Sequence, residues 1–89
     1  MHAVLTSVTI KDEAAAEEYL RGQVVPSVKQ APGLVAAYWV RDQDEGRGTI
    51  VFESEDAARG AAERIGERVG QNPAVTLNSV TVGEVVATA

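Results

Sequence analysis

The spacing of apolar residues changes repeatedly along this chain of 89 residues. Where every second residue is apolar a strand is expected, and where every third or fourth residue is apolar a helix is expected. Two segments with helical spacing begin after Asp12 and Ser54, whose side chains can cap a helix. Four segments show the strand spacing: His2–Ile10, Leu34–Arg41, Gly48–Glu53 and Val75–Ala87. The sequence therefore predicts the element order β-α-β-β-α-β.

The first helical segment is interrupted by Gly22 and Pro26. Proline has no backbone N–H and its ring clashes with the preceding turn, so we expect a kink, or a second short helix that begins at Pro26. The apolar stripes are Ala16, Leu20, Val24 and Val28 in the first segment, and Ala58, Ala61, Ala62, Ile65 and Val69 in the second.

The predicted order is typical of the ferredoxin-like fold, an α+β architecture. Two crossovers and one hairpin arrange the strands as a four-stranded antiparallel sheet with both helices on one face. A chain of 89 residues is too short for two independent cores, so we expect a single domain over residues 1–89. Gly83, within the last strand, predicts a bulge there.

The second strand is apolar on both of its faces. One face carries Leu34, Ala36, Tyr38 and Val40, and the other carries Val35, Ala37 and Trp39. A sheet with two apolar faces needs cover on both, and the helices can supply only one layer. An identical sheet from a second chain would cover the other face, so we predict a homodimer of the dimeric α/β-barrel type.

Composition excludes several kinds of site and partner. The chain has no cysteine and a single histidine, so neither a sulfur-based site nor a multi-histidine metal site can form within it. The net charge of −5, with eight basic residues, argues against nucleic acid and anionic membranes as partners. No apolar stretch is long enough to span a bilayer, and the N-terminal segment does not resemble a signal peptide. We therefore expect a cytoplasmic protein without metal or cofactor.

Two short runs resemble the dimeric α/β-barrel proteins, in particular the antibiotic-biosynthesis-monooxygenase-like domains. They are Gln30–Val35, which leads into the second strand, and Phe52–Ala58, which turns the third strand into a helix. The resemblance covers nearly the whole chain and implies a pocket between sheet and helices for a small aromatic or polyketide-like molecule. Some members of this group oxygenate such a ligand without metal or flavin. Haem-degrading members use a histidine on a helix, which no helix predicted here contains.

The candidate ligand-binding residues are Tyr19, Trp39, Phe52 and His2. Trp39 could orient a ligand through its indole N–H, or it could simply fill the core or an interface. If Trp39 lies opposite Ile50 in the hairpin, with the loop centred near Asp44 and Glu45, it shares the helix-covered face with Phe52. A shift of one residue would place Tyr38 there instead.

Tyr19 lies beside the first helical stripe and could point into the same pocket, or it could keep its hydroxyl in solvent. His2 could serve as a base, although a residue near a chain terminus is often exposed.

Two functions remain open at this point. One is a small-molecule-binding, cofactor-independent monooxygenase-like enzyme, and the other is a non-enzymatic homodimer for ligand binding or assembly.

Overall fold

The computed structural model describes all residues from 1 to 89 and contains one four-stranded sheet. The strands are β1 (His2–Ile10), β2 (Leu34–Asp42), β3 (Glu45–Phe52) and β4 (Val75–Glu84). They are arranged in the order β2-β3-β1-β4, and every neighbouring pair is antiparallel. This arrangement confirms the predicted ferredoxin-like α+β fold.

The helical layer consists of α1 (Glu13–Tyr19), a π turn (Leu20–Val24), α2 (Val25–Lys29) and α3 (Glu55–Gly70). The side chain of Asp12 accepts a hydrogen bond from the Ala15 amide, and that of Ser54 accepts one from the Ala57 amide. Each cap satisfies an amide that has no partner within the helix. Both predicted helix starts are therefore confirmed.

The interruption at Pro26 takes the form of a widened turn. A second short helix, α2, does begin there, with Pro26 in its first turn. The amide of Val25 donates to the carbonyl of Leu20, five residues earlier. Pro26 cannot donate to the carbonyl of Gly22, and its ring needs space beside that carbonyl, which the wider turn provides.

The β2–β3 hairpin is tighter than the sequence suggested. The strands continue to Asp42 and Glu45, which pair across a turn formed by Gln43 and Asp44. Gln43 takes the positive φ of 56° that this tight turn needs. The predicted strand boundaries at Arg41 and Gly48 are therefore wrong, because the polar residues and glycines between them were not recognised as strand.

The hairpin register also differs from the predicted one. Trp39 lies opposite Gly48, and Ile50 lies opposite Ala37. The shift is two residues, and because side chains alternate with a period of two, it leaves every side chain on its expected face. Trp39 therefore faces the helices together with Phe52, and Tyr38 faces the other way, which decides between the two alternatives that the sequence left open.

Two bulges alter the strand faces locally. Leu34 pairs with Phe52 and Ala36 pairs with Val51, so Val35 is an extra residue and Leu34 turns toward the core. A second irregularity lies in β4, where Asn78 is unpaired between residues aligned with Ser7 and Val8. The bulge predicted at Gly83 is therefore misplaced, since Gly83 pairs regularly with Ala3.

The packed core occupies the part of the sheet under α2 and α3. Phe52, Ile50 and Val4 are its largest fully buried side chains. The helical residues that complete it are Val24, Val28, Ala58 and Ala61. Ten of the 89 residues are buried, so most of the apolar side chains remain partly accessible.

Gly33 connects α2 to β2 in a conformation that other residues rarely adopt. Its φ is +80°, and a Cβ atom at this position would lie 3.3 Å from the Cβ of Ala57. The Gly33 carbonyl also accepts a hydrogen bond from the Glu53 amide. Glycine here therefore allows β2 to begin close to the start of α3.

We expect Gly33→Ala to lower the free energy of unfolding by about 1–2 kcal/mol, because alanine is strained at this φ. Urea denaturation at a fixed protein concentration measures the change. Gly70→Ala is the matched control, since Gly70 ends α3 and a Cβ there would contact nothing within 4 Å. Equal stabilities of the two variants would contradict this account of Gly33.

Candidate functional site

A cavity of about 360 Å³ lies between the sheet and the helical layer. It is found where the β2–β3 hairpin, the start of α1 and the α3–β4 connection meet. Twelve of its 21 lining residues are hydrophobic. The residues that matter for its shape and chemistry are Thr6, Val8, Glu13, Tyr19, Leu20, Trp39, Arg41, Gly46, Gly48 and Ile65.

The cavity exists because α1 stands away from the sheet. The helix α3 packs on β4, β1 and β3, and α2 packs on β2, whereas the main contacts of α1 are with the π turn. No residue of α1 is buried. Leu20 and Val24 of the π turn line the cavity, so the widened turn lies at its wall. Such turns occur frequently at functional sites.

Gly46 and Gly48 form the floor of the cavity on β3. Both line it, and their positions two residues apart put them on the same face of the strand. A Cβ atom on Gly46 would lie 3.0 Å from Val8 Cγ2. One on Gly48 would lie 2.6 Å from Thr6 Oγ1 and 3.0 Å from Trp39 Cδ1. The side chains of Val8, Thr6 and Trp39 therefore lie close over the two glycines, and Gly48 is buried beneath them.

Tyr19 and Trp39 both line this cavity, from the end of α1 and from β2. Each is half-buried and also packs against the edge of the core. The indole N–H of Trp39 donates no hydrogen bond within the chain. The structure thus brings together the two aromatic residues that the sequence suggested for a pocket, and their binding role remains a prediction.

Phe52 and His2 lie elsewhere. Phe52 is fully buried in the core and does not line the cavity. His2 pairs with Phe52 and Glu84 at the opposite end of β1 from Ile10, and its Nδ1 is buried without a hydrogen-bond partner. Neither side chain reaches the cavity, so the four suggested residues do not form one site.

Sequence reasoning missed the glycine floor and the charged mouth. Gly46 and Gly48 were assigned to a loop or to a strand start, although glycines at alternate positions of one strand could have indicated a close approach of backbone and ligand. Glu13 and Arg41 gave no signal, because nothing in the sequence shows that the start of α1 faces the end of β2.

The mouth of the cavity is charged, and each arginine there has a carboxylate partner. Arg41 pairs with Glu13 across the opening, which links β2 to α1. Arg21 pairs with Glu17 at 2.9 Å and Arg47 with Glu45 at 2.7 Å. All of these side chains are largely exposed, so each pair contributes at most about 1 kcal/mol to folding. A ligand could therefore separate the Glu13–Arg41 pair at small cost.

The one resolved pKa shift lies outside the cavity. The pKa of Glu55 is lowered by its hydrogen bond to Arg59, by the positive charge of Arg59 and by His2. Glu55 belongs to the first turn of α3, and it does not line the cavity. This shift is therefore a feature of the helix surface.

The fold is shared with solved structures of oxygenases and of a haem degrader. An antibiotic-biosynthesis-monooxygenase-like protein from Deinococcus radiodurans superposes with a TM-score of 0.74 at 14% identity, over 100% of this chain and 96% of that one. SnoaB, a cofactor-independent oxygenase from Streptomyces nogalater, gives 0.70 at 16% identity, with coverages of 98% and 95%. MhuD, a haem degrader from Mycobacterium tuberculosis, gives 0.57 at 21% identity, with coverages of 97% and 98%.

At these identities the similarity concerns the fold. No protein-family model matches the sequence, and no curated protein matches it. The resemblance to antibiotic-biosynthesis-monooxygenase-like proteins is therefore confirmed for the ferredoxin-like architecture. None of the helices combines the length and the apolar character that a transmembrane span requires.

We expect Arg41→Gln to make Trp39 more accessible by removing the ion pair across the mouth. Trp39 is the sole tryptophan, so its fluorescence reports directly on the cavity. The acrylamide quenching constant should rise, while the free energy of unfolding changes by less than about 1 kcal/mol.

Arg59→Gln is the control for this experiment. It removes an equally exposed pair, with Glu55 on α3, that lies outside the cavity. Equal quenching constants for Arg41→Gln, Arg59→Gln and the unchanged protein would show that the Glu13–Arg41 pair does not restrict entry.

Proposed function

We propose that this protein binds a small, flat and mainly apolar molecule in the cavity beneath α1. The observation that carries the proposal is the cavity itself, whose volume of about 360 Å³ lies within the usual range for ligand pockets. The cavity opens to solvent at its charged mouth, so a small molecule can enter it.

The shape of the cavity supports a planar ligand. No side chain projects from Gly46 or Gly48 into the cavity, and the indole ring of Trp39 lies beside Gly48 with an edge on the cavity. Leu20 and Ile65 provide apolar contacts from the helical layer. Aromatic rings pack well against such surfaces, and Tyr19 and Trp39 are the residues that we propose as direct aromatic contacts.

We further propose that the bound molecule is a substrate for a cofactor-independent, monooxygenase-like reaction. The support is the fold shared with SnoaB, which is a cofactor-independent oxygenase. Without a cofactor, the electrons must come from the ligand. A CH₂ group next to an aromatic ring would become a carbonyl, with one atom of O₂ entering the ligand and the other leaving as water.

A non-enzymatic ligand-binding domain is the second candidate. The observation that favours it is the composition of the cavity wall, which contains neither histidine nor cysteine.

Native mass spectrometry of freshly purified protein would detect a retained ligand. Oxygen consumption upon addition of that ligand would then separate the enzyme from the binding domain.

We expect the planar hydrocarbon fluorene to bind in equilibrium dialysis. Trp39→Leu should weaken this binding by about tenfold, because an aromatic contact and part of the apolar wall are lost. Tyr38→Leu is the matched control, since Tyr38 is the adjacent aromatic residue but faces away from the cavity. Absence of fluorene binding, or equal losses in both variants, would contradict the proposed site.

We also infer that a second copy of the chain covers the outer face of the sheet. Four apolar side chains of β1 and β2 are exposed on the outer face of the sheet or at its edge: Leu5 (44%), Val35 (50%), Tyr38 (67%) and Val40 (64%). The helices cover only the opposite face, so these side chains form an apolar surface suited to symmetric pairing. Val51 lies on this face near the end of β3, between Ala3 and Ala36.

We expect Val51→Glu to produce a monomer or an aggregate, because a carboxylate would be buried between the two sheets without a partner. Light scattering coupled to size exclusion measures the mass. Val86→Glu introduces the same charge at an apolar residue that is 87% exposed and lies beyond β4, and it should remain dimeric. A dimeric Val51→Glu variant of unchanged stability would rule out this interface.

A further inference from the structure

Thr6, Gly48 and Trp39 lie side by side on three neighbouring strands. Thr6 of β1 pairs with Gly48 of β3, and Gly48 pairs with Trp39 of β2. All three line the cavity. The row therefore crosses the cavity floor with a glycine at its centre and one polar atom on each side.

The two polar atoms converge on the space above Gly48. A Cβ atom on Gly48 would lie 2.6 Å from Thr6 Oγ1 and 3.1 Å from Trp39 Nε1. Both atoms thus approach a single point from opposite sides. Gly48 itself is buried beneath these two side chains, and any other residue at this position would place a carbon atom between them.

Both polar atoms are free to bind a ligand. Neither takes part in any of the side-chain hydrogen bonds of the chain, whose donors are Ala15, Arg47, Ala57, Arg59, Ala74 and Asn78. Neither atom is fully buried either. A fully buried side-chain polar atom without a hydrogen-bond partner occurs only at His2 Nδ1, so Thr6 Oγ1 and Trp39 Nε1 both keep some accessible surface. A half-buried indole N–H normally finds an acceptor.

We propose that Thr6 Oγ1 and Trp39 Nε1 together bind one carbonyl oxygen of the ligand above Gly48. This inference rests on the proposed ligand-binding function and specifies the ligand as a planar molecule that carries a neutral acceptor. A carbonyl oxygen has two lone pairs and can accept both hydrogen bonds.

The chemistry of the two donors selects against other groups. The indole N–H can only donate, so a ligand N–H at this point would find no acceptor on Trp39. Neither Thr6 nor Trp39 is charged, whereas the cavity mouth offers Arg21, Arg41 and Arg47. A carboxylate is therefore better placed at the mouth, and the subsite above Gly48 suits a ketone or quinone oxygen.

The test compares two probes that differ by one acceptor group, 9-fluorenone and fluorene. Equilibrium dialysis gives the dissociation constant of each for the unchanged protein and for Thr6→Val, which removes the hydroxyl while keeping the shape. We expect Thr6→Val to weaken fluorenone binding about threefold to tenfold, the effect of one hydrogen bond, and to leave fluorene binding unchanged.

Thr49→Val is the matched control. Thr49 follows Gly48 in β3 and is exposed on the opposite face of the sheet, so the same substitution there should affect neither probe. The single indole N–H signal in the NMR spectrum provides a second readout. It should move downfield with fluorenone and not with fluorene, because only fluorenone can accept its proton.

Several results would overturn the inference. One is an equal ratio of the two dissociation constants in the unchanged protein, Thr6→Val and Thr49→Val. Another is an indole signal that responds identically to both probes. In either case both probes still bind, so the proposed binding function would stand while the carbonyl subsite would not. Failure of both probes to bind would instead overturn the binding function and the subsite together.

Discussion

The inner face of β3 divides the interior of this protein into two parts. The first half of this face carries Gly46 and Gly48, which have no side chains. The second half carries Ile50 and Phe52, whose side chains are fully buried. Under Ile50 and Phe52 the helices can pack closely and form the core. Over the glycines only the neighbouring side chains of Thr6, Val8 and Trp39 cover the sheet, α1 stands away from it, and the cavity lies between them.

The π turn and the cavity are related through Pro26. The proline prevents a regular helix from continuing over the sheet, and the widened turn lets α2 pack on β2 while α1 stands away from the sheet. Leu20 and Val24 of this turn belong to both parts of the interior. Val24 is a core residue and Leu20 packs against the core, and both residues also line the cavity. A local backbone irregularity thus joins the packed half of the molecule to the open half.

Much of the fold could be predicted because alternation and helix caps are local signals. The element order and both helix caps follow from residues that lie close together in sequence. The sequence left open whether Trp39 or Tyr38 faces the helices, because a shift of one residue in the hairpin register exchanges them, and the structure assigns that face to Trp39. Bulges at Val35 and Asn78 could not be predicted, since each depends on how the partner strand aligns. Of the candidate residues, Tyr19 and Trp39 line the cavity, whereas Phe52 and His2 do not.

The sequence by itself determined which segments form strands and helices, which faces are apolar, and that no cysteine or multi-histidine chemistry is available. These properties depend on residue type and on spacing along one element. Only the tertiary structure decided that Gly46 and Gly48 form a cavity floor, that Thr6 and Trp39 meet above Gly48, and that Glu13 reaches Arg41. Each of these depends on the register and spacing between elements distant in sequence, and those are set by the packing of the whole chain.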